Sequence, residues 1–220
     1  MTRTRCLLVA KAPVPGRAKT RLGATIGHDA AAELAAASFL DSVEACTEAF
    51  GAGGCVLALS GDLRSGVRGD EIVAALDGWT VVGQSGDGLG ERLARAHGDA
   101  GPGQVVQIGM DTPQVTPARL TGLAGLLADH DAAVGSAEDG GWWGLALRDP
   151  RQARALVTVP MSRPDTGART LDALAAAGLA VTLGEPLRDV DTVVDAEAVA
   201  RECPSTRFAE CWSRLGVLVA

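Results

Sequence analysis

Short, largely apolar runs separated by amphipathic stretches set the strongest limit on how this chain can fold. Cys6–Ala10 (CLLVA) is a continuous apolar run, as expected for a strand buried on both faces, and Cys55–Ser60 (CVLALS) and Gln104–Gly109 (QVVQIG) also read as strands. Trp79–Val82, Ala132–Ser136 and Trp142–Leu147 extend the series. Between them, His28–Phe50 places apolar residues three and four apart and stops at Gly51, while Asp70–Leu76, Leu89–His97 and Pro117–His130 also read as helices. Strands alternating with helices at this spacing predict an α/β fold, a three-layer α/β/α sandwich around a mostly parallel sheet. Beyond Arg148 the alternation loosens into a helix at Arg169–Ala177, a strand at Ala180–Leu183 and a helical tail at Asp195–Leu215. With no low-complexity linker and no repeat, residues 1–220 are expected to form one domain.

The formal charge of −7 gives no support for a nucleic-acid partner or a membrane surface. Any basic cluster in so acidic a chain is therefore informative. Five cysteines with no CxxC spacing, three of them in apolar runs, fit small buried thiols in a reduced compartment. The start, Met1–Arg5, leads into an apolar run too short for a signal peptide, and no stretch approaches a membrane span, so a cytoplasmic location is expected.

The basic cluster follows the first strand. Lys11-Ala-Pro-Val-Pro-Gly-Arg-Ala-Lys-Thr-Arg-Leu22 holds four cations, Lys11, Arg17, Lys19 and Arg21, in a loop restrained by two prolines and a glycine. Ligands of open α/β sheets bind beyond the carboxyl ends of the strands, which is where this loop lies. Arginine forks and lysine point charges suit phosphate oxygens, so all four are candidate phosphate ligands, against the alternative of a solvated surface loop. The segment is neither a GxxxxGK[ST] loop nor a GxGxxG turn.

A carboxylate stands at the equivalent end of a later strand. In Gln107-Ile-Gly-Met-Asp-Thr-Pro113, Asp111 follows the apolar run and precedes a Thr-Pro break, a place suited to Mg²⁺ or Mn²⁺ bridging phosphates. A second acidic group, Arg188-Asp-Val-Asp-Thr192, has Asp195 close by as a helix cap. Gln84-Ser-Gly-Asp-Gly-Leu-Gly-Glu-Arg92 enters a helix through three glycines whose bare backbone admits close approach of a ligand. Glu138-Asp-Gly-Gly-Trp-Trp-Gly144 joins two carboxylates, Gly140 and Gly141 to adjacent tryptophans. Extended backbone would send Trp142 and Trp143 to opposite faces, so at most one is expected to line a pocket. Glu138 and Asp139 suit substrate hydroxyls or a second metal, or simply a solvated turn. Asp165 or Thr166 is expected to cap the helix after Ser162–Arg169, and none of the three histidines lies in these motifs.

The loop KAPVPGRAKTRL closely resembles the signature of a glycosyltransferase-A-like group of bacterial proteins, the DUF2064 family. That group is similar to the 2-phospholactate and phosphoenolpyruvate guanylyltransferases and, more distantly, to molybdenum-cofactor nucleotidyltransferases. The matching segments are residues 5–22, 84–95, 107–113, 138–147 and 187–195. The resemblance implies a nucleotide-diphospho-sugar transferase fold. It implies Asp111 and Asp191 as metal ligands, with Asp189 in a supporting position. It also implies that Ala10, Gln84, Gly88, Leu89 and Gly90 face the nucleotide. Glu138, Asp139, Gly140, Gly141, Trp142 and Trp143 then fall to the substrate, and Lys19 with Asp111 to catalysis.

Three functions remain on this basis. A metal-dependent nucleotidyltransferase would take an NTP and pass its nucleotidyl group to a small phosphorylated or carboxylate acceptor. A glycosyltransferase would use a nucleotide-diphospho-sugar. A non-catalytic nucleotide-binding protein would bind without turnover. Glycosyltransferases of the resembled fold usually carry Asp-x-Asp at the metal strand, whereas Met110-Asp111-Thr112 has no second aspartate, so the sequence leans to nucleotidyl transfer. The expected partners are a nucleotide and a small-molecule acceptor, with neither nucleic acid nor membrane, and with a homodimer left open.

Overall fold

The computed structural model describes residues 4–216. Its centre is β1 (Thr4–Lys11), whose Cys6, Leu7 and Leu8 are shut from solvent by neighbours on both faces, as the unbroken apolar run demands. Around it lie β2 (Cys55–Ser60), β3 (Thr80–Gly83), β4 (Gln104–Gly109), β5 (Ala132–Ala137), β6 (Trp142–Leu147) and β7 (Val181–Leu187). They form one sheet in the order β3-β2-β1-β4-β6-β5-β7. β1, β2, β3 and β4 pair in parallel, β6 is antiparallel to both β4 and β5, and β7 returns parallel to β5. The carboxyl ends of β1 and β4 therefore open at the same edge, which is where the site forms.

Helices cover both faces. On one face, α2 (His28–Phe50) packs with α3 (Gly69–Ala75) and α5 (Pro117–Gly125) over Leu8, Leu57 and Ile108. Its alanines let the helix approach closely, and Ser38 Oγ donates to the Met110 carbonyl at 2.6 Å, fixing the turn after β4. On the other face, α4 (Leu89–Asp99), a 3₁₀ stretch at Pro150–Thr158 and α6 (Thr166–Ala176) enclose Leu93, Leu145, Leu156 and Leu174. The tail, read as one helical stretch, is two helices, α7 (Val193–Glu202) and α8 (Arg207–Leu215). Pro204 cannot donate to a continuing helix, and a new start is capped by Thr206. Asp41 on α2 accepts from the Arg207 and Phe208 backbone N–H groups, tying α8 to the core.

Two further differences bear on the site. The basic loop ends earlier than its composition suggests, because a short helix α1 spans Thr20–Ile26 and takes Arg21 and Leu22. The helix read at Pro117–His130 is α-helical only to Gly125 and then tightens into a 3₁₀ turn, Leu126–Ala128. Among the described residues there is no disulfide, and no helix is long and apolar enough to cross a membrane. Part of the basic start, residues 1–3, lies outside the described residues.

Candidate active site

A cleft of about 670 Å³ opens at the carboxyl ends of β1 and β4. It is lined by Ala10, Lys11 and Asp111 at the strand ends and by Asp189 and Asp191 of the loop that follows β7. Three backbone and side-chain links hold these segments together. The Val190 N–H donates to the Asp111 carbonyl at 3.2 Å. Lys19 Nζ donates to the Val190 carbonyl at 2.5 Å and pairs with Asp111 Oδ1 at 2.6 Å. Lys19 itself has a left-handed backbone, φ 46°, a conformation that costs a side-chain-bearing residue about 1 kcal/mol and persists when its surroundings hold it. The basic loop is thus stapled over the cleft by its own lysine.

The other three cations divide. Arg21, on α1, lines the cleft and meets Asp191 Oδ2 at 3.0 Å. Lys11 lines the cleft from the end of β1, and its side chain is exposed. Arg17 is exposed on the loop outside the cleft wall. The cations expected together at a phosphate are therefore distributed as two at the cleft wall, one buried staple and one on the outer surface.

The carboxylates converge more than the sequence suggested. Asp111, Asp139, Asp189 and Asp191 all line the cleft. Burial, with Asp111 and Asp139 next in weight, pushes the Asp189 carboxyl up to about 8. Asp189, read from sequence as a supporting residue, is thus at the centre of the acidic group. Asp195 does cap, forming a reciprocal box with Thr192 at the start of α7. Thr112 was not singled out either, yet it lines the cleft with its buried Oγ1 lacking any hydrogen-bond partner among the described residues.

Gln84 and Leu89 line the cleft, whereas Gly88 and Gly90 do not. Gln84 Nε2 donates to the Ala10 and Ala58 carbonyls at 2.9 Å each, bracing the ends of β1 and β2. Gly90 is packed away from the cleft, and a Cβ there would lie 2.3 Å from the Leu156 carbonyl oxygen. Glu138 turns to Arg188 in an ion pair and stays outside the lining, while Asp139 Oδ1 accepts from the Gly141 N–H at 2.8 Å. Gly140 has φ +87°, and a Cβ on it would meet the Pro164 carbonyl oxygen at 1.8 Å, so this turn seats directly on the 160–167 segment. Asp165 sits at the α6 N-cap position without a capping bond and pairs with Arg169, and Thr166 bonds within the preceding loop.

The two tryptophans go to opposite faces, as extended backbone requires. Trp143 is buried in the α2-side core with Nε1 donating to the Glu185 carbonyl, and Trp142 packs on the α4 side with Nε1 donating to Thr170 Oγ1. Both still touch the cleft, because a register shift where β5 meets β6 falls at the cleft end of these strands.

The sheet order and the single reversed strand β6 are those of a nucleotide-diphospho-sugar transferase fold. A crystal structure of a candidate nucleotide-diphospho-sugar transferase from Desulfovibrio desulfuricans G20 superposes with a TM-score of 0.86 at 25% identity, over 100% of this chain and 97% of that one. CMP:2-keto-3-deoxy-manno-octonic acid synthetase in complex with CTP matches at a TM-score of 0.53 and 13% identity, over 90% of this chain and 97% of that one. Rv0371c from Mycobacterium tuberculosis H37Rv in complex with manganese matches at 0.50 and 20% identity, over 90% and 98%. The last two likenesses are of fold. No curated protein matches the sequence. Residues 43–163, more than half of the chain, match the model of a family described as an uncharacterized protein conserved in bacteria (DUF2064), and the chain belongs to that family.

Proposed function

We propose that the chain, acting as one domain over residues 1–220, is a divalent-cation-dependent nucleotidyltransferase. It takes an NTP and transfers the nucleotidyl group to a small phosphorylated or carboxylate acceptor. The observation that carries this reading is the meeting of Asp111, Asp189 and Asp191 with Lys11 and Arg21 in one cleft at the carboxyl ends of β1 and β4. Such transfer depends on positioning and charge neutralisation: an acceptor oxyanion attacks the α-phosphorus and pyrophosphate leaves. Lys11 and Arg21 would take the β- and γ-phosphate oxygens, Lys19 would join them on leaving Asp111, and the loop carrying Asp189 and Asp191 would hold the reacting groups in line.

The donor set fits a hard divalent cation. Every acidic ligand is an oxygen donor, the crowding around Asp189 is an excess of negative charge, and the orphaned Thr112 Oγ1 can accept a bond from a bound water. Among the described residues no three His, Cys, Asp or Glu side chains already close around one point. Asp111 and Asp191 instead face Lys19 and Arg21. Asp111 and Asp191, with Asp189 behind them, would hold Mg²⁺ or Mn²⁺ once phosphate draws those two cations away. The cation would neutralise phosphate charge. The manganese complex of the Mycobacterium tuberculosis neighbour supports the choice of metals.

Sugar transfer from a nucleotide sugar is the second reading, favoured by the likeness to the Desulfovibrio desulfuricans candidate nucleotide-diphospho-sugar transferase. The presence of both aspartates of Asp189-Val-Asp191 in the cleft also weakens the argument from a missing Asp-x-Asp. Thermal shift with NTPs and with UDP- and GDP-sugars, each with Mg²⁺ or Mn²⁺, separates the readings. Stabilisation by an NTP alone supports nucleotidyl transfer, and stabilisation by nucleotide sugars alone overturns it. Binding of NTP with no pyrophosphate released across phosphorylated and carboxylate acceptors would leave a non-catalytic nucleotide-binding protein.

A further inference from the structure

The cleft has a second region that the phosphate and metal chemistry does not use. It lies on the α4 side, where Val9, Leu93, Trp142 and Met161 form one apolar wall continuous with the core beneath α4 and the 3₁₀ stretch. Leu93 is buried, whereas Val9, Trp142 and Met161 are only partly covered and face the opening. The Trp142 ring is fixed by its Nε1 bond to Thr170 Oγ1, so this wall is built before any ligand arrives.

Two polar groups interrupt the wall. Arg92, in the first turn of α4, lines the cleft, and its guanidinium makes no hydrogen bond or ion pair with any described residue; its Nε is buried. The other arginines of the cleft are paired, Arg21 with Asp191 and Arg163 with Asp165. A buried guanidinium Nε–H without an acceptor is costly unless a ligand supplies the oxygen. Gln107, on β4, accepts from the buried His97 through Oε1 at 2.9 Å, leaving Nε2 with no protein partner in a residue that also lines the cleft. Two sets of donors beside an apolar wall call for a ligand with oxyanion oxygens on an apolar body.

We propose that this α4-side region is the acceptor subsite, that it takes an oxyanion carried on an apolar body, and that Arg92 reads the oxyanion while Gln107 donates a second bond. The acceptor role rests on the transferase reading, but the binding itself does not. Phosphate and carboxylate share the chemistry that Arg92 recognises, and the probes distinguish them.

The test is isothermal titration of the full chain with phenyl phosphate, benzoate, benzyl alcohol and inorganic phosphate, in the absence of nucleotide. At least one aromatic anion is expected to bind about tenfold or more tighter than benzyl alcohol and than inorganic phosphate, and whichever aromatic anion binds names the preferred oxyanion. Arg92→Met is expected to lose about tenfold or more of that affinity. Met161→Glu, at a partly exposed loop position, is expected to do the same by repulsion, with a cooperative unfolding transition showing that the variant is folded. The proposal is overturned if neither aromatic anion binds the wild-type chain, if inorganic phosphate binds as tightly as phenyl phosphate, or if both variants keep wild-type affinity. The last result would place the anion at Lys11 and Arg21 instead. Because no probe contains a nucleotide, any of these outcomes leaves the nucleotidyltransferase reading to its own test.

Discussion

Lys19 Nζ lies 2.6 Å from Asp111 Oδ1 in an ion pair that is sealed on one side and open on the other: the lysine side chain is 3% exposed and the aspartate 51%. Asp111 lines the cleft, and on the proposed function phosphate oxygens would compete for the amine and a cation for the carboxylate. The pair would then divide between the two when ligand enters. That behaviour links the left-handed backbone at Lys19 to the chemistry proposed for Asp111.

Lys19→Met separates the two roles by their signs. The variant is expected to bind a triphosphate about tenfold more weakly, having lost a charge-assisted bond. It is expected to bind Mn²⁺ alone at least as tightly as wild type, because the competitor for Asp111 is gone. Manganese titration followed by electron paramagnetic resonance checks the second half, and equal weakening of both ligands would show that Lys19 only holds the loop.

Arg21 and Arg17 are predicted to behave differently although the sequence treats them alike. Arg21 lines the cleft and Arg17 does not. Arg21→Ala should weaken triphosphate binding about tenfold while leaving nucleoside binding within about twofold, whereas Arg17→Ala should change either by less than about threefold. An effect of Arg17→Ala as large as that of Arg21→Ala would mean that the loop closes further on the ligand.

Gly140 and Gly90 are structural positions on this account. Gly140→Ala would force a side chain into the left-handed region at φ +87° and against the Pro164 carbonyl, and Gly90→Ala would press on Leu156. Each is expected to cost about 2 kcal/mol or more in urea unfolding. A Gly90→Ala protein of wild-type stability that fails to bind nucleotide would restore the nucleotide contact inferred from the motif.

His97 makes stability depend on pH. Burial lowers its value from 6.5 to about 4, so between those values the unfolded chain carries a proton that the folded chain excludes. Stability from this group is complete above about 6.5 and falls as the pH drops toward 4, by about 3 kcal/mol in all. The raised Asp189 carboxyl acts in the opposite sense over the same range, so the check is the difference between the two proteins: from pH 7.5 to 4.5 the urea midpoint of His97→Gln should rise relative to that of wild type. Parallel profiles would exclude His97 as the cause.

The strands were the most legible part of the fold, because β1, β2 and β4 are buried on both faces and leave no polar alternation to confuse them. α2 was equally plain from its periodicity and its terminal glycine. α1 was hidden, since it begins at a lysine in a left-handed conformation with no side-chain cap, and a proline-rich basic stretch reads as loop. The 3₁₀ stretch at Pro150–Thr158 carries no helical stripe long enough to register, yet it forms the seat of α4. At the site, the presence of Asp111 and Asp191 in the cleft was legible from position and resemblance. Asp189, Thr112 and Arg92 were not, because what distinguishes them is burial without a partner or beside like charge, and burial is a property of the packed chain.

The central claim is that one cleft holds a nucleotide's phosphates through a divalent cation on Asp111 and Asp191. Isothermal titration of NTPs in Mg²⁺, in Mn²⁺ and in EDTA, with wild type and with Asp111→Asn, tests it most directly. Binding of an NTP that requires the divalent cation, and that falls by about tenfold or more in a folded Asp111→Asn protein, is the result expected. NTP affinity unchanged by EDTA and by Asp111→Asn would contradict it.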